Sequence, residues 1–307
     1  MRVQATERPE EAWAIDPLER GSQVHRILER FFRELQVLGR LDGLRAYSSA
    51  DHQLLEEIAE SCFAELEVRG VTGHPLVWEN TSAAIRVDLR TFLVKDERWR
   101  GEEGLTPTFF EQPFGIQKDP RSWPPLALRF AGIDVTFRGY IDRIDMDPTR
   151  RRAFLYDYKT GGTSSYGGMN KDPLTAGKHI QLALYRRAVL ASIPDLQEDG
   201  VEGAFWFVSS RGGFKMLPSE PPPYDPDHRL DEVLQRTAEG ILGGVFPQIP
   251  GNETTRPGKF SWDNCVYCLF ERVCPAGRDA VFERKQSTPG YAQHQSLGAG
   301  VAEESGE

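Results

Sequence analysis

Apolar positions in the first hundred residues recur every three or four residues, the spacing of one face of an α-helix. Asp16-Pro17 marks the start of the first helix, because proline fixes φ at a helical value in the first turn. Ser49 is the predicted N-cap of the second helix, and Gly70 ends it. The three predicted helices cover residues 17–38, 49–69 and 76–100.

After residue 101 the pattern changes to short apolar runs bounded by glycine, proline and aspartate, which is typical of strands. Helical spacing returns at residues 176–192, after a loop rich in glycine and serine, and again at 226–242. Helices followed by strands and a further helix predict an α/β fold, in which a mixed β-sheet core is flanked by helices and carries an N-terminal helical layer. The predicted strands cover residues 106–116, 126–130, 134–146, 152–159, 201–209 and 214–217.

This order divides the chain into four parts. Residues 1–100 form the N-terminal helical part, and residues 101–220 hold the core sheet with its helix. Residues 221–285 hold a C-terminal helix and a cysteine-containing segment. Residues 286–307 are polar, and we predict a disordered tail there.

The composition is that of a globular protein, since 39% of the 307 residues are hydrophobic and 27% are charged. The most apolar runs, residues 182–193 and 201–208, are shorter than the roughly 18 apolar residues of a transmembrane helix. The first 18 positions carry charges and no apolar run, so we expect no secretory signal peptide there. We therefore expect a cytoplasmic protein with no membrane partner.

The net charge is −9, because 46 acidic residues outnumber 37 Lys and Arg. This balance argues against binding to nucleic acid by net charge alone, but it allows a nucleic-acid enzyme whose metal site is itself acidic. A DNA path would need a local basic stripe, and residues 150–152 and 186–187 are the candidates. The alternative interpretation of both is a solvated turn or helix face.

The strand predicted at residues 152–159 ends in an Asp-Tyr-Lys sequence just before a Gly-Gly break. Residues two apart on a strand project from the same face, so Asp157 and Lys159 point together. Tyr156 and Tyr158 then face the other way. Asp142 lies on a neighbouring strand, and two carboxylates brought together in this way can bind Mg²⁺ or Mn²⁺. A lysine beside them can orient or help to deprotonate a water and offset charge on a phosphate.

Simpler interpretations of these acidic residues stay open. Asp157 and Lys159 also fit a surface ion pair, since alternating charge is common on a solvated strand face. We interpret Asp145 and Asp147 as loop or turn carboxylates, because Asp-Pro at 147–148 is a common turn opener.

Three of the four cysteines, Cys265, Cys268 and Cys274, fall within ten residues. In a chain expected to be cytoplasmic, such a cluster favours a metal site over a disulfide framework. Three thiolates at this spacing suit Zn²⁺ or an iron–sulfur cluster, and buried free cysteines are the alternative. Cys62 lies in the middle of a predicted helix next to Phe63, where we expect a thiol packed in the core.

Five short motifs occur in order along residues 15–285. They are G-x-x-x-H-x-x-L-E at 21–29, G-Y-I-D-R-I-D at 139–145, D-Y-K-T-G at 157–161, Q-L-A-L-Y at 181–185, and the Cys-x2-Cys-x5-Cys-Pro segment at 265–275. This series resembles the PD-(D/E)xK nuclease domain of the RecB/AddB type, found in bacterial helicase–nucleases that resect DNA ends and in small stand-alone exonucleases. The resemblance implies a restriction-endonuclease-like fold, a mixed β-sheet core flanked by helices.

The resemblance also assigns roles to the matching residues. It implies that His25 is a metal ligand or stands directly behind the ligands. Asp142 and Asp157 would bind the metal, helped by the main-chain carbonyl of Tyr158. Lys159 would serve the attacking water.

Further site residues follow from the same resemblance. Glu111, on the preceding strand, would complete the metal site, and a solvent-facing strand glutamate is the alternative. Gln181 and Tyr185 lie one helical turn apart and would line the site or contact DNA. The alternative is that they are ordinary surface and core residues of the helix. Ile141 stands before Asp142 where the motif name has proline, but the carboxylate is the group that the chemistry needs. The chain lacks a G-x-x-x-x-G-K-[ST] phosphate loop, so we predict no ATP motor.

In the family pattern the three clustered cysteines bind a [4Fe–4S] cluster together with a fourth cysteine upstream of the histidine helix. No cysteine precedes His25 in this sequence. Either the sequence starts after the missing ligand, or the cluster is lost or degenerate. The abrupt polar start at residues 1–4 favours the first, an N-terminally truncated family member.

The function expected from these observations is a nuclease that uses Mg²⁺ or Mn²⁺ to cleave DNA. More specifically, we expect an exonuclease that acts on DNA ends in recombination and repair. The expected partners are DNA and a helicase subunit. A non-catalytic subunit that binds DNA ends or acts as a scaffold in a helicase–nuclease complex is the alternative. A third interpretation is an interaction domain held together by zinc, in which the acidic strand is incidental.

Overall fold

The computed structural model of the chain describes a mixed α/β arrangement. The described residues are 13–41, 45–130, 132–218, 226–256, 259–265, 268, 270, 273–275 and 277–299. The helices are α1 (Pro17–Val37), α2 (Ser49–Val68), α3 (Pro75–Glu103), α4 (Gln181–Ser192), α5 (Pro226–Leu242), α6 (Arg278–Lys285) and α7 (Pro289–Ala299). The strands are β1 (Thr106–Phe114), β2 (Leu126–Phe130), β3 (Ile133–Phe137), β4 (Gly139–Met146), β5 (Ala153–Lys159), β6 (Val201–Phe207), β7 (Met216–Leu217), β8 (Glu253–Arg256) and β9 (Lys259–Trp262).

The N-terminal helices begin at the capping signals of the sequence. Asp16 accepts a hydrogen bond from the N–H of Leu18 at 2.8 Å, which satisfies one free donor of α1. The N-cap of α2 is Ser48 and not Ser49 as predicted. Ser48 and Asp51 form a reciprocal capping box, and this exchange of hydrogen bonds fixes the start of α2 one residue earlier.

Five strands form the central sheet, in the order β1-β4-β5-β6-β7. Neighbours are antiparallel except β5 and β6, which are parallel and are connected through α4. The predicted strand at 134–146 is two strands, because β3 leaves to pair with β2 in a separate hairpin and β4 joins the sheet. The predicted α/β class, a mixed β-sheet core flanked by helices with an N-terminal helical layer, is confirmed.

Hydrophobic cores cover both faces of the sheet. One core joins α1–α3 to the face that carries Tyr156, Tyr158 and Trp206. The other packs α4, α5 and the β2–β3 hairpin against the face that carries Ile144 and Leu155. Because the helical layer shares its core with the sheet, α1 is held directly against the strands.

Helix α4 is shorter than predicted, because it starts at Gln181 and not at residue 176. The carboxylate of Asp172 accepts hydrogen bonds from the N–H groups of Leu174 and Ala176, which makes a local turn. Thr175 and Ala176 both have positive φ, which a helix does not allow. These residues therefore belong to the loop after β5.

The polar C-terminal tail also differs from its prediction. Pro289–Ala299 forms α7, which packs against α5. The hydroxyl of Tyr291 accepts a hydrogen bond from the N–H of Gln248 at 3.2 Å. Few residues of this helix are apolar, so the sequence lacks the apolar spacing that predicts a helix. Residues 300–307, the rest of the predicted disordered tail, lie outside the described residues.

Arg186 and Arg187 join α4 to α5 and do not form part of a basic stripe. Both pair with Asp227, and Nη1 of Arg187 is also 2.6 Å from Asp231. The other candidate stripe, residues 150–152, lies in the turn before β5, where Arg152 pairs with Glu103. In the described part of the chain, no helix combines the length and apolar character needed to cross a membrane.

Candidate active site

A histidine and two carboxylates meet where α1 lies against the sheet. His25 comes from α1, Glu111 from β1 and Asp142 from β4, and one possible ligand atom of each lies within 4.8 Å of the others. Nδ1 of His25 is 3.4 Å from Asp142 Oδ2 and 3.5 Å from Glu111 Oε1. All three side chains keep some exposure, so an ion and water can reach them.

The main chain of Tyr158 orients this group. Its N–H donates to Asp142 Oδ2 at 2.6 Å, and its carbonyl oxygen lies 3.0 Å from Nε2 of His25. A neutral imidazole that donates from Nε2 to this carbonyl keeps the lone pair of Nδ1 directed at the two carboxylates. The carbonyl that the resemblance assigns to the metal is thus in contact with His25.

The two carboxylates hold a proton on His25 when no metal is bound. Burial disfavours the charged ring, but Asp142 and Glu111 outweigh this effect and raise the pKa of His25 to about 10. The proton on Nδ1 lies between two carboxylates, where a divalent cation would find three ligands. The group could therefore hold a cation at this point.

Glu111 reaches the group through an unusual backbone conformation. Its φ is 42°, in the left-handed region that non-glycine residues rarely adopt inside a strand. Burial raises the pKa of Glu111, and the charge of Asp142 adds to that effect while His25 opposes it. Local strain at a carboxylate that faces a histidine is typical of a functional position.

Asp157 and Lys159 project from the same face of β5, and their charged groups are in contact. The Asp157 side chain is 5% exposed and that of Lys159 is 22% exposed, so this is a mostly buried pair and not a surface ion pair. Burial raises the pKa of Asp157 to about 6, and the nearby charge of Asp142 adds to this effect while Lys159 opposes it. Asp157 and Asp142 therefore share one acidic pocket.

Helix α4 brings Tyr185 to the same pocket. Burial raises the pKa of the Tyr185 phenol, and the charges of Asp157 and Asp142 contribute to the increase. Its ring contacts Phe114 edge-on, with centroids 6.1 Å apart. Gln181 is exposed at the start of α4, one turn before Tyr185.

Asp145 is not a loop or turn carboxylate, contrary to its prediction. It is fully buried on β4 and makes a two-pronged ion pair with Arg143, with both N–O distances at 2.6 Å. Arg143 also pairs with Asp96 of α3 at 2.6 Å, and Arg100 adds a further pair to Asp96. The Arg-x-Asp spacing, which places both side chains on one face of a strand, is the sequence signal that could have predicted this ion pair. Asp147, two residues further along the chain, does cap the turn before β5 as predicted.

A stacked pair of rings, Tyr166 and His179, lies in the loop between β5 and α4 beside Lys159. The sequence pattern identified this segment as a loop and gave no signal for the pair, because its two members are separated by a turn-rich stretch.

The cysteine segment does not form the expected cluster. Cys265, Cys268 and Cys274 line one cavity of about 1090 Å³ with residues of α5 and α7. Among the described residues, their sulfurs do not come together as a ligand group, whereas the His25 group does. Cys62 is buried in the helical core, where its sulfur accepts a hydrogen bond from Arg30 at 3.3 Å. The residues described therefore do not fit a [4Fe–4S] cluster with four cysteine ligands.

A histidine–carboxylate group beside a Lys–Asp pair, on a mixed sheet flanked by helices, is consistent with a nuclease of restriction-endonuclease-like fold. The family model of the PD-(D/E)XK nuclease superfamily matches residues 2–275, and the chain belongs to this superfamily. PD-(D/E)XK nucleases use divalent metals, and the acidic group meets that requirement. A search of the curated proteins found no match.

Proposed function

We propose that the protein is a deoxyribonuclease of the RecB/AddB type that uses Mg²⁺ or Mn²⁺ and acts as an exonuclease on DNA ends in recombination and repair. The observation that carries the proposal is the convergence of His25, Glu111 and Asp142 beside the Asp157–Lys159 pair. The order of the motifs along the chain supports the RecB/AddB type.

The proposed metal ligands are Nδ1 of His25 and the carboxylates of Glu111, Asp142 and Asp157, with the carbonyl of Tyr158 close by. A donor set dominated by oxygen, with one imidazole, suits Mg²⁺ or Mn²⁺ better than a thiolate-binding metal. When bound, the ion would supply positive charge to the phosphate and lower the pKa of a water.

Lys159 has a separate role in this proposal. Asp157 holds its ammonium group at the edge of the acidic pocket, where it can donate hydrogen bonds to the attacking water and to a phosphate oxygen. The same charge would stabilise the negative charge that develops on the phosphate oxygens as the water attacks in line. Tyr185 and Gln181 would contact the DNA beside the scissile bond.

The cellular context is also part of the proposal. We propose action on DNA in the cytoplasm, and the order of the motifs supports a helicase subunit as partner. The cysteine segment has no step in this chemistry, and the His25 group does not depend on it for any contact that the described residues show.

The test is cleavage of end-labelled single- and double-stranded DNA by anaerobically purified protein in Mg²⁺, Mn²⁺ or EDTA. We expect metal-dependent loss of the label, with closed circular DNA left intact. Asp157→Ala and Lys159→Ala should reduce the rate by about 10²–10⁴-fold. This is the usual effect of removing a group that takes part in proton transfer or stabilises developing charge. Lys95→Ala, an exposed lysine on α3, is the matched control and should cleave normally.

The outcomes separate the alternatives. Full cleavage by both variants would overturn the site assignment. Cleavage of circular DNA would make the protein an endonuclease. DNA binding without turnover by the folded protein in either metal would favour a non-catalytic subunit that binds DNA ends.

A further inference from the structure

The loop between β5 and α4 carries two rings that none of the proposed catalytic roles uses. The rings of Tyr166 and His179 are stacked, with centroids 4.4 Å apart and planes inclined by 27°. Both residues are partly exposed. The backbone N–H of His179 donates to the carbonyl of Leu174 at 3.0 Å, which fixes the end of the loop that carries the imidazole.

Two phenylalanines of β6 support this pair. Phe205 and Phe207 contact the Tyr166 ring edge-on, with centroids 5.2 Å and 5.0 Å away. Phe205 also contacts His179 at 5.7 Å. Both phenylalanines are fully buried and β6 is an interior strand, so the stacked pair rests on a rigid part of the sheet.

The stacked pair adjoins the proposed catalytic lysine. Nζ of Lys159 lies 5.0 Å from the centroid of Phe205, the ring that both Tyr166 and His179 contact. Only one ring therefore separates the pair from the group that we assign to the attacking water. A nucleotide whose phosphate reaches Lys159 can extend its base over the pair, because base and phosphate of one nucleotide lie within a few bond lengths of each other.

The imidazole is suited to stacking on a neutral, flat group. Burial lowers the pKa of His179, and the charges of Lys159 and Lys178 lower it further, which favours the uncharged ring. Its Nδ1 is buried and has no hydrogen-bond partner in the part of the chain that the structure describes. An uncharged imidazole can stack on a neutral base without losing the hydration of a charge.

Flat rings next to positive charge are the features by which proteins bind unpaired nucleotides. Bases inside a duplex are stacked on one another, whereas an unpaired base can stack on an aromatic side chain. Lys171 and Lys178, both exposed on the same loop, supply positive charge for the DNA backbone.

We propose that Tyr166 and His179 form a stacking platform for an unpaired nucleobase next to the scissile phosphate. Single-stranded DNA and frayed ends are then preferred over intact duplex. This inference rests on the proposed nuclease function and names its substrate class.

The test is equilibrium binding of oligonucleotides that carry 2-aminopurine at the terminal position, in Ca²⁺, with intact strands verified on a gel. Stacking on a ring quenches this fluorophore, so wild-type protein should quench the single strand more than the blunt duplex. Tyr166→Leu and His179→Leu should lose the quenching and bind the single strand about tenfold more weakly, in the range measured for one base stacked on one side chain. Duplex affinity should change little.

Two variants separate stacking from a structural effect. Tyr166→Phe keeps the ring and should bind as wild type does. Trp13→Leu is the matched control, because Trp13 stacks on His74 in the helical layer with centroids 5.4 Å apart and an angle of 19°. Near-ultraviolet circular dichroism and thermal unfolding check that each variant is folded.

The outcomes for the platform and for the nuclease are distinguishable, since cleavage in Mg²⁺ or Mn²⁺ is measured separately. Cleavage with equal single-strand affinity in all variants keeps the nuclease and overturns the platform. Binding that depends on the rings without any cleavage supports the platform and overturns the nuclease. Absence of quenching by the wild-type protein overturns the platform.

Discussion

Nε2 of His25, on α1, lies 3.0 Å from the main-chain oxygen of Tyr158, on β5. The N–H of the same residue donates to Asp142 at 2.6 Å, so main-chain atoms of one strand residue orient two of the proposed metal ligands. The phenol of Tyr158 takes no part in these hydrogen bonds: it is buried in the core under the helical layer, where its ring contacts the His25 ring edge-on with centroids 5.8 Å apart. The geometry of the ligand group is therefore set by the docking of α1 on β5.

We predict that metal binding releases the proton of His25. Burial opposes the charge on this ring, but Asp142 and Glu111 outweigh it and raise its pKa to about 10, so the metal-free ring is protonated at neutral pH. Because the ion and the proton compete for Nδ1, apparent metal affinity should rise by up to about tenfold per pH unit between about pH 7 and pH 9. Calorimetric titration in buffers of different ionisation enthalpy should count about one proton released per ion.

His25→Asn should abolish most of this proton release and weaken metal binding. His228→Asn, at an exposed position of α5, is the matched control. It should bind metal and release protons as the wild-type protein does. Metal affinity that stays constant over this pH range would show that His25 is not a ligand.

A second prediction concerns the strained backbone at Glu111. A left-handed residue other than glycine costs about 1–2 kcal/mol, so Glu111→Gly should be more stable than Glu111→Ala by about 1 kcal/mol. The order is the reverse of the usual one for a strand. Both variants should lose metal affinity because both lack the carboxylate. Urea unfolding and metal titration measure the two effects.

The same pair of substitutions at Thr136, which lies in the regular register of β3 without a positive φ, provides the control. There the alanine variant should be the more stable one. If Glu111→Ala proves as stable as Glu111→Gly, the left-handed conformation carries no strain.

Local geometry explains which parts of the site the sequence could predict. The two-residue period of a strand is enough to place Asp157 and Lys159 on one face. Helical spacing and a proline at the first position are enough to predict α5 with the bounds that it has, residues 226–242. His25 and Glu111 could be singled out only by the resemblance, because nothing local distinguishes them from ordinary helix and strand residues.

Long-range contacts explain what the sequence could not predict. Asp145 is buried because Arg143 pairs with both it and Asp96, which lies on a helix about fifty positions earlier. The Tyr166–His179 pair depends on how a long loop folds over β6. Arg143 and Asp145 are two residues apart on one strand, but the pairing of Arg143 with Asp96 and the stacking of Tyr166 on His179 have no period or spacing that a pattern along the chain can show.

The third prediction follows from this buried network. Arg143→Met leaves Asp145 buried without its two-pronged partner, and we expect a loss of about 3–5 kcal/mol in the free energy of unfolding. Arg129→Met is the matched control, because its ion pair with Asp134 on the β2–β3 hairpin is exposed, with side chains 70% and 76% accessible. It should change stability by less than about 0.5 kcal/mol. Similar losses in both variants would contradict a buried network that holds α3 on the sheet.

The fourth prediction is a pH-dependent contribution from Asp51, which caps α2. Burial opposes ionisation of this carboxyl, but hydrogen bonds from Ser48 and the charges of Arg45 and Arg40 outweigh it and lower its pKa below the ordinary 3.8. A carboxyl with a lower pKa in the folded chain stabilises the fold above its unfolded pKa. That stability is lost as the pH falls through the folded pKa.

Asp51→Asn should therefore lower the free energy of unfolding by about 1–2 kcal/mol at neutral pH, since it removes the charge from the capping box and from two ion pairs. The difference from wild type should shrink below about pH 4, where the wild-type carboxyl begins to bind a proton. Urea unfolding at neutral pH and near pH 3 measures both values. Asp16→Asn is the control, because asparagine caps a helix as well as aspartate does, and its effect should be small at both pH values. A loss at Asp51 that is equal at both pH values would mean that shape, and not charge, gives this residue its effect.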